Sequence, residues 1–87
     1  GGTAWGIESA SQTYFDKPIK DLTLAESALL AGLPAAPSEY SPFGSHPEKA
    51  FSRQIEVLRR MKEDGYITQE EADTAYKETI RFTTPNV

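Results

Sequence analysis

Apolar and small residues recur at helical spacing in four stretches of the chain. The first predicted helix spans residues 3–15, and Asp16 and Pro18 follow it. One face of this helix, at positions i, i+3, i+4 and i+7, is formed by Ile7, Ala10, Ser11 and Tyr14. Asp16 tolerates a left-handed turn, and a proline cannot continue a helix. The first helix is therefore predicted to end near Phe15.

The second predicted helix, residues 23–33, is apolar around most of its circumference. Thr23 and Glu26 have the spacing of a capping box, in which side chain and backbone at a helix start bond reciprocally. Gly32 is predicted to end the helix in the left-handed conformation, with Pro34 as a stop. The apolar circumference favours a central, buried helix, around which the other helices pack.

A proline-rich loop, residues 33–46, follows this helix and carries Ser38 and Tyr40. Loops of this length are often functional. The third predicted helix, residues 46–64, begins with a second capping box, residues 45–48. Its core stripe is predicted to be Phe51, Ile55 and Leu58. Its opposite face is predicted to be Lys49, Arg53, Glu56 and Arg60.

Gly65 and Tyr66 have the pattern of a helix end, with a left-handed glycine and an apolar follower. Thr68 and Glu71 form a third capping box, and a fourth helix is predicted to run to about Ile80. The short connection predicts that the third and fourth helices form an αα-hairpin. Residues 81–87 are predicted to be extended and to lead away.

Composition limits the possible functions. A chain of 87 residues forms at most one domain, and without cysteine it has no disulfide frame. A net charge of −4 argues against a nucleic-acid partner. No apolar run approaches the roughly 20 residues that span a bilayer. The predicted fold class is all-α.

No catalytic constellation stands out, and no metal-ligand spacing is present. His46 lies at a helix start, where a capping role is a simpler interpretation than a catalytic one. The same holds for the glutamates of the capping boxes, Glu26, Glu48 and Glu71.

Two sets of polar residues remain as candidates for binding. The face around Arg53 carries three cations and one carboxylate and could hold a phosphate or pyrophosphate, or it is simply a solvated basic face. Tyr14 and Lys17, at the end of the first helix, could line a polar site, but Tyr14 also fits the core stripe. From the residues alone, both alternatives stay open.

Three consecutive blocks of the chain, GGTAWGIESASQTYFDK, LTLAESALLAGLPAAPSEYSPF and HPEKAFSRQIEVLRRMKEDGYIT, resemble the peptidoglycan glycosyltransferases of glycosyltransferase family 51. The resemblance runs from Gly1 to about Ala75, with Trp5 and Asp16 where the family usually has tyrosine and glycine. It implies a lysozyme-like α-helical fold and an enzyme that polymerises lipid II with inversion. It also implies that a glutamate base activates the acceptor hydroxyl and that cations help pyrophosphate to leave.

The two glutamate blocks of the family, of the types EDxxFxxHxG and LExYLN, are not present in these residues. The resemblance therefore implies that residues 1–80 are the C-terminal half of the glycosyltransferase domain and that residues 81–87 are a tail or the start of a linker. The chain alone is expected to be inactive and to contain no catalytic residue and no metal ligand. By the resemblance, the residues that contribute to the donor-site wall are Tyr14, Lys17, Ser38, Tyr40 and Arg53.

The resemblance also implies the surroundings of the parent protein, a class A penicillin-binding protein or a monofunctional transglycosylase. Its partners would be lipid II, the growing glycan chain and the outer face of the bacterial plasma membrane, through an anchor outside this chain. A divalent metal, Mg or Mn, is expected only in the full domain. Self-association of the chain is also expected, since a half-domain exposes surfaces that its missing half would cover. The alternative is a non-enzymatic helical scaffold or interaction module.

Overall fold

Four α-helices and one 3-10 helix make up the regular structure in a computed structural model of the chain, which describes residues 7–32 and 47–83. The α-helices are α1 (Ile7–Phe15), α2 (Leu24–Ala31), α3 (Pro47–Glu63) and α4 (Gln69–Lys77). The 3-10 helix, Ile19–Asp21, was not predicted. The described ranges contain no strand, so the all-α prediction is confirmed for them.

Capping boxes start α2 and α4, as predicted. The Thr23 hydroxyl accepts from the Glu26 amide at 3.1 Å, and the Thr23 amide donates to the Glu26 carboxylate at 2.9 Å. At α4 the Glu71 amide donates to the Thr68 hydroxyl at 3.0 Å, and the Thr68 amide donates to the Glu71 carboxylate at 2.8 Å. Each box satisfies two amides at a helix start that would otherwise lack partners. The box predicted at residues 45–48 includes Ser45 and His46, which lie outside the described residues.

The predicted left-handed residues are confirmed at Asp16, with φ of 54°, and at Gly65, with φ of 84°. After α3, the Tyr66 amide bonds the Met61 carbonyl at 2.9 Å and the Gly65 amide bonds the Lys62 carbonyl at 3.1 Å. This is the Schellman pattern, which satisfies the last carbonyls of a helix. A glycine is favoured at position 65 because only glycine adopts positive φ without cost.

The prediction for Gly32 is wrong. Its φ is −84°, a right-handed value, and its amide bonds the carbonyls of Ala28 and Leu29 in a tightened last turn. The glycine instead permits a close helix contact, because a Cβ atom at this position would lie 3.1 Å from the Cβ of Arg53 on α3. Position 32 therefore needs a small residue for packing between α2 and α3 and does not need one for its backbone conformation.

The buried face of α3 differs from the predicted stripe. Leu58 is fully buried, as predicted, but Ile55 is 52% exposed, so its assignment to the core is wrong. The buried row is Ala50, Gln54 and Leu58, at i, i+4 and i+8. Gln54 belongs there because its side-chain amide donates to the Ala25 carbonyl of α2 at 2.8 Å. A buried polar side chain is tolerated when it has such a partner.

Helix α2 is the centre of the packing, as predicted, and contributes to two apolar clusters. The first cluster joins α1, α2 and the start of α3 through Ala10, Tyr14, Phe15, Leu29, Leu30 and Ala50. The second joins α2, α3 and α4 through Ala25, Ala28, Leu58 and Ala75. None of the helices in the described ranges is long and apolar enough to cross a membrane.

The chain after α4 returns to the core. Helix α4 ends at Lys77, not near Ile80, and Ile80 packs against both apolar clusters. The Phe82 ring stacks on Phe15 at 5.4 Å between centroids, and the Thr83 amide donates to the Tyr14 carbonyl at 2.9 Å. Residues 81–83 are non-helical, as predicted, but they do not lead away, because Phe82 is packed among other aromatic rings.

Candidate functional site

Lys17 follows α1 and reaches across to the first turn of α2. Its ammonium group donates to both carboxylate oxygens of Glu26, each at 2.9 Å. The Lys17 side chain is 36% exposed, whereas that of Glu26 is 7% exposed. A partly buried pair of this kind is screened less by salt than a surface pair. Lys17 is therefore a cation in a defined place, and its side chain is partly exposed to solvent.

The backbone around Lys17 is also held. The buried Ser11 hydroxyl donates to the Lys17 carbonyl, and the Lys17 amide bonds the Ser11 carbonyl at 3.5 Å. Asp16, directly before Lys17, supplies the left-handed turn. These contacts fix the backbone of Lys17 relative to α1, and so they fix the point from which its side chain extends.

Tyr14 is a core residue, only 9% exposed. This favours its assignment to the core stripe of the first helix over a place in a polar site. Its ring meets those of Phe15 and Phe82 edge to face, with centroids 6.5 and 6.3 Å apart. Edge-to-face pairs of this kind add to the stabilisation from burial. A contact between Tyr14 and a substrate stays a prediction.

Arg53 lies at the edge of an open groove of about 200 Å³ on α3. The groove is lined by Arg53, Glu56, Val57, Arg60, Met61, Asp64 and Tyr66. Arg60 bonds Glu56 at 3.2 Å, and Arg59 bonds it at 3.0 Å. Arg53 makes no ion pair with any residue of the described ranges. It differs in this from Arg60, the other cation of the groove, which is paired with Glu56.

The ion pairs of α3 set the charge state of Glu56. Hydrogen bonds from Arg59 and then Arg60, reinforced by their charges, hold the pKa of Glu56 below its ordinary value. The hydrogen bond to Glu56 likewise raises the pKa of Arg59. A lowered carboxyl pKa stabilises the fold above the unfolded-state pKa, and this contribution is lost as pH falls through the folded-state pKa. These groups are solvent-accessible, so the contribution is small.

The structure places Lys17 and Arg53 at opposite ends of α2. Lys17 bonds Glu26 in the first turn, whereas Arg53 packs beside Gly32 at the last. Glu26 and Gly32 are six positions apart, which corresponds to about 9 Å along the helix axis. Lys17 and Arg53 therefore contact α2 at opposite ends. Two further predicted residues, Ser38 and Tyr40, lie outside the described residues.

Sequence reasoning missed the role of Glu26 as the partner of Lys17, because the capping box already explained the glutamate. The lining of the groove by Val57, Met61 and Asp64 was also missed, although these residues follow Arg53 at helical spacing and that signal was available. In the described parts of the chain, no three acidic or histidine side chains gather to hold a metal ion.

Sequence comparisons find a family and relatives for this chain among known proteins. The sequence model of the family described as Transglycosylase matches residues 1–62. "Penicillin-binding protein 1A" of Neisseria flavescens is 51% identical over 82 residues, which are 94% of this chain and 10% of that protein. The protein of the same name from Aquifex aeolicus is 49% identical over 80 residues, 92% of this chain and 11% of that protein.

The fold of the chain is also similar to that of a solved structure. The crystal structure of Penicillin-Binding Protein 1A from Haemophilus influenzae matches with a TM-score of 0.82 and 44% identity. The match covers 91% of this chain and 12% of that chain. The chain spans about a tenth of the length of the relatives it matches. Because the family model covers most of its residues, the chain belongs to the transglycosylase family.

Proposed function

We propose that this chain is part of a peptidoglycan glycosyltransferase that polymerises lipid II into glycan strands with inversion, and that it supplies scaffold and donor-site wall. The observation that carries this proposal is the family match over residues 1–62. The names of the relatives, penicillin-binding proteins 1A, support the same assignment. We place the chain in the C-terminal half of the domain, because the family's glutamate blocks do not occur in its sequence.

In this reaction the acceptor sugar hydroxyl attacks the anomeric carbon of the donor, and undecaprenyl pyrophosphate leaves. Charge develops on the leaving group, where fixed cations stabilise it most. Lys17 is such a cation because Glu26 and the α1 turn hold it, and Arg53 is available because no described carboxylate pairs with it. Since the two contact opposite ends of α2, we assign them to different parts of the extended donor rather than to one phosphate.

The chain alone is expected not to polymerise lipid II. Glu26 and Glu71 are occupied as helix caps, and Glu26 also bonds Lys17, so neither is available as a general base. The measurement is incubation of the 87-residue chain with lipid II, followed by separation of glycan products by gel electrophoresis. Glycan strands above the level of a protein-free control would show that the expectation is wrong.

Loss of charge at Lys17 or Arg53 is expected to weaken binding of a lipid-linked phosphoglycolipid, a donor mimic, by about tenfold each. One charge-assisted hydrogen bond of roughly 1.5 kcal/mol corresponds to that factor. The variants are Lys17→Gln, whose amide can still donate to Glu26, and Arg53→Gln. The measurement is fluorescence anisotropy of the labelled ligand against the 87-residue chain.

Arg59→Gln is the matched control for these variants. Arg59 lies on the same helix as Arg53, but it is paired with Glu56 and Glu63, and it does not line the groove. Equal affinities for all three variants and the unsubstituted chain would contradict the donor-site role. Failure of the unsubstituted chain to bind would favour the alternative function, a non-enzymatic helical scaffold.

The remaining assignments stay predictions. They are the growing glycan chain as partner, the outer face of the plasma membrane as location, self-association of the chain, and a Mg or Mn ion in parts of the domain outside these residues.

A further inference from the structure

The geometry points to Glu26 as a positioning residue that holds the Lys17 ammonium group in the direction from which it meets the donor's phosphate. This inference rests on the proposed donor-site role of Lys17. Glu26 itself does not touch the substrate and acts through Lys17. Its capping box explains the glutamate on α2, but it does not explain why a lysine nine residues earlier bonds both carboxylate oxygens.

The Glu26 carboxylate is suited to hold another group because it is itself held. Glu26 is 5% exposed, and one of its oxygens accepts from the Thr23 amide at 2.9 Å. It also lies in the first turn of α2, the helix that packs into both apolar clusters. A side chain restrained in this way offers both oxygens in a constant direction.

The Lys17 ammonium group has three N–H donors, and Glu26 takes two of them. The third has no acceptor in the described ranges, while the side chain keeps 36% exposure. One donor of a restrained cation therefore remains for an anion arriving from solvent. The bond to Glu26 has already reduced the conformational entropy of the Lys17 side chain, so less entropy is lost when the anion binds.

The Lys17–Glu26 ion pair restrains the ammonium group, but it also has an opposing effect on anion binding. Glu26 neutralises Lys17 at short range, so it weakens the general attraction of this site for anions. Removal of the Glu26 charge consequently has two opposite possible results. Tighter anion binding follows if attraction alone matters, and weaker binding follows if the direction of the ammonium group matters.

The chain contains a matched control for the cap. The Thr68–Glu71 capping box at α4 has the same two hydrogen bonds as the Thr23–Glu26 box, but Glu71 is exposed and bonds no lysine of the described ranges. Glutamine is accepted at this position of a capping box. Glu26→Gln and Glu71→Gln therefore make the same change to a cap, and only the first removes the ionic partner of Lys17.

The experiment compares Glu26→Gln, Glu71→Gln and Lys17→Gln in the 87-residue chain with the unsubstituted chain. The first measurement, without ligand, is the ¹⁵N NMR signal of the Lys17 ammonium group, which reports its mobility. The second is the affinity for the labelled phosphoglycolipid, with thermal unfolding recorded for each variant. We expect Glu26→Gln to mobilise Lys17 and to weaken binding about two- to tenfold, and Glu71→Gln to do neither.

Three results would overturn the inference, and the first two differ in what they imply for Lys17. If Glu26→Gln binds as well as the unsubstituted chain or better, while Lys17→Gln binds weakly, Glu26 is only a cap and Lys17 keeps its proposed role. If Lys17→Gln also binds normally, the donor-site role of Lys17 is wrong and the inference fails with it. Equal weakening by Glu26→Gln and Glu71→Gln would assign the effect to helix capping and would also overturn the inference.

Discussion

Replacement of Phe15 by alanine is expected to lower the free energy of unfolding by about 3–5 kcal/mol, which leaves much of the chain unfolded at 25 °C. Phe15 is 2% exposed, and its ring stacks on Phe82 and meets Tyr14 edge to face. The substitution removes an aromatic ring from the contact that joins α1 to the chain after α4. A domain of this size has only a few kcal/mol to lose. The measurement is urea denaturation followed by circular dichroism at 222 nm.

The control for this variant is Tyr66→Ala, since Tyr66 is an aromatic residue that is 77% exposed. Its loss is expected to change the free energy of unfolding by about 0.5 kcal/mol or less, as for other surface substitutions. Similar losses for both variants would contradict the aromatic cluster as a main source of stability. A cooperative unfolding transition of Phe15→Ala at the same urea concentration as that of the unsubstituted chain would also contradict it.

Leu58→Ala is expected to cost about 2–5 kcal/mol, because it opens a cavity in the second apolar cluster. Leu58 is fully buried between α2 and α4, where it packs with Ala25, Ala28 and Ala75. These alanines are too short to fill the space that the leucine leaves. The measurement is the denaturation midpoint and its slope, which separate lost stability from a changed unfolded state.

Ile55→Ala is the matched control, on the same helix and less than one turn away. Ile55 is 52% exposed and takes no part in either cluster. Its truncation removes a similar number of atoms but little buried area, so the expected cost is below about 1 kcal/mol. A larger loss for Ile55→Ala than for Leu58→Ala would restore the core stripe predicted from the sequence and contradict the structure.

The helix boundaries were well predicted where a local signal marks them. Thr23 and Thr68 cap helices whose third residues, Glu26 and Glu71, complete the boxes. Gly65 adopts positive φ at the predicted place. These features depend on hydrogen bonds and sterics within about six residues, so their residues alone determine them. The end of α4 has no such marker, and its position at Lys77 was not predicted.

The candidate site was predicted only in part. The sequence singled out Lys17 and Arg53 as cations, through a family resemblance for both and an uncompensated charge for Arg53. It did not predict that Glu26 holds Lys17, nor that Arg53 packs beside Gly32. Each of these contacts joins residues from different elements. The spacing of such residues along the chain follows no helical period, so the sequence pattern does not reveal the contact.

By itself, the sequence determined the all-α class, the caps, the central apolar helix α2 and the family of the chain, since these depend on local pattern and on motif order. The tertiary structure decided which face of α3 is buried, because Gln54 finds an acceptor on α2 whereas Ile55 stays 52% exposed. It also decided that Phe82 returns to the core. Burial and long-range pairing depend on which surfaces meet, and the pattern of a single segment does not contain that information.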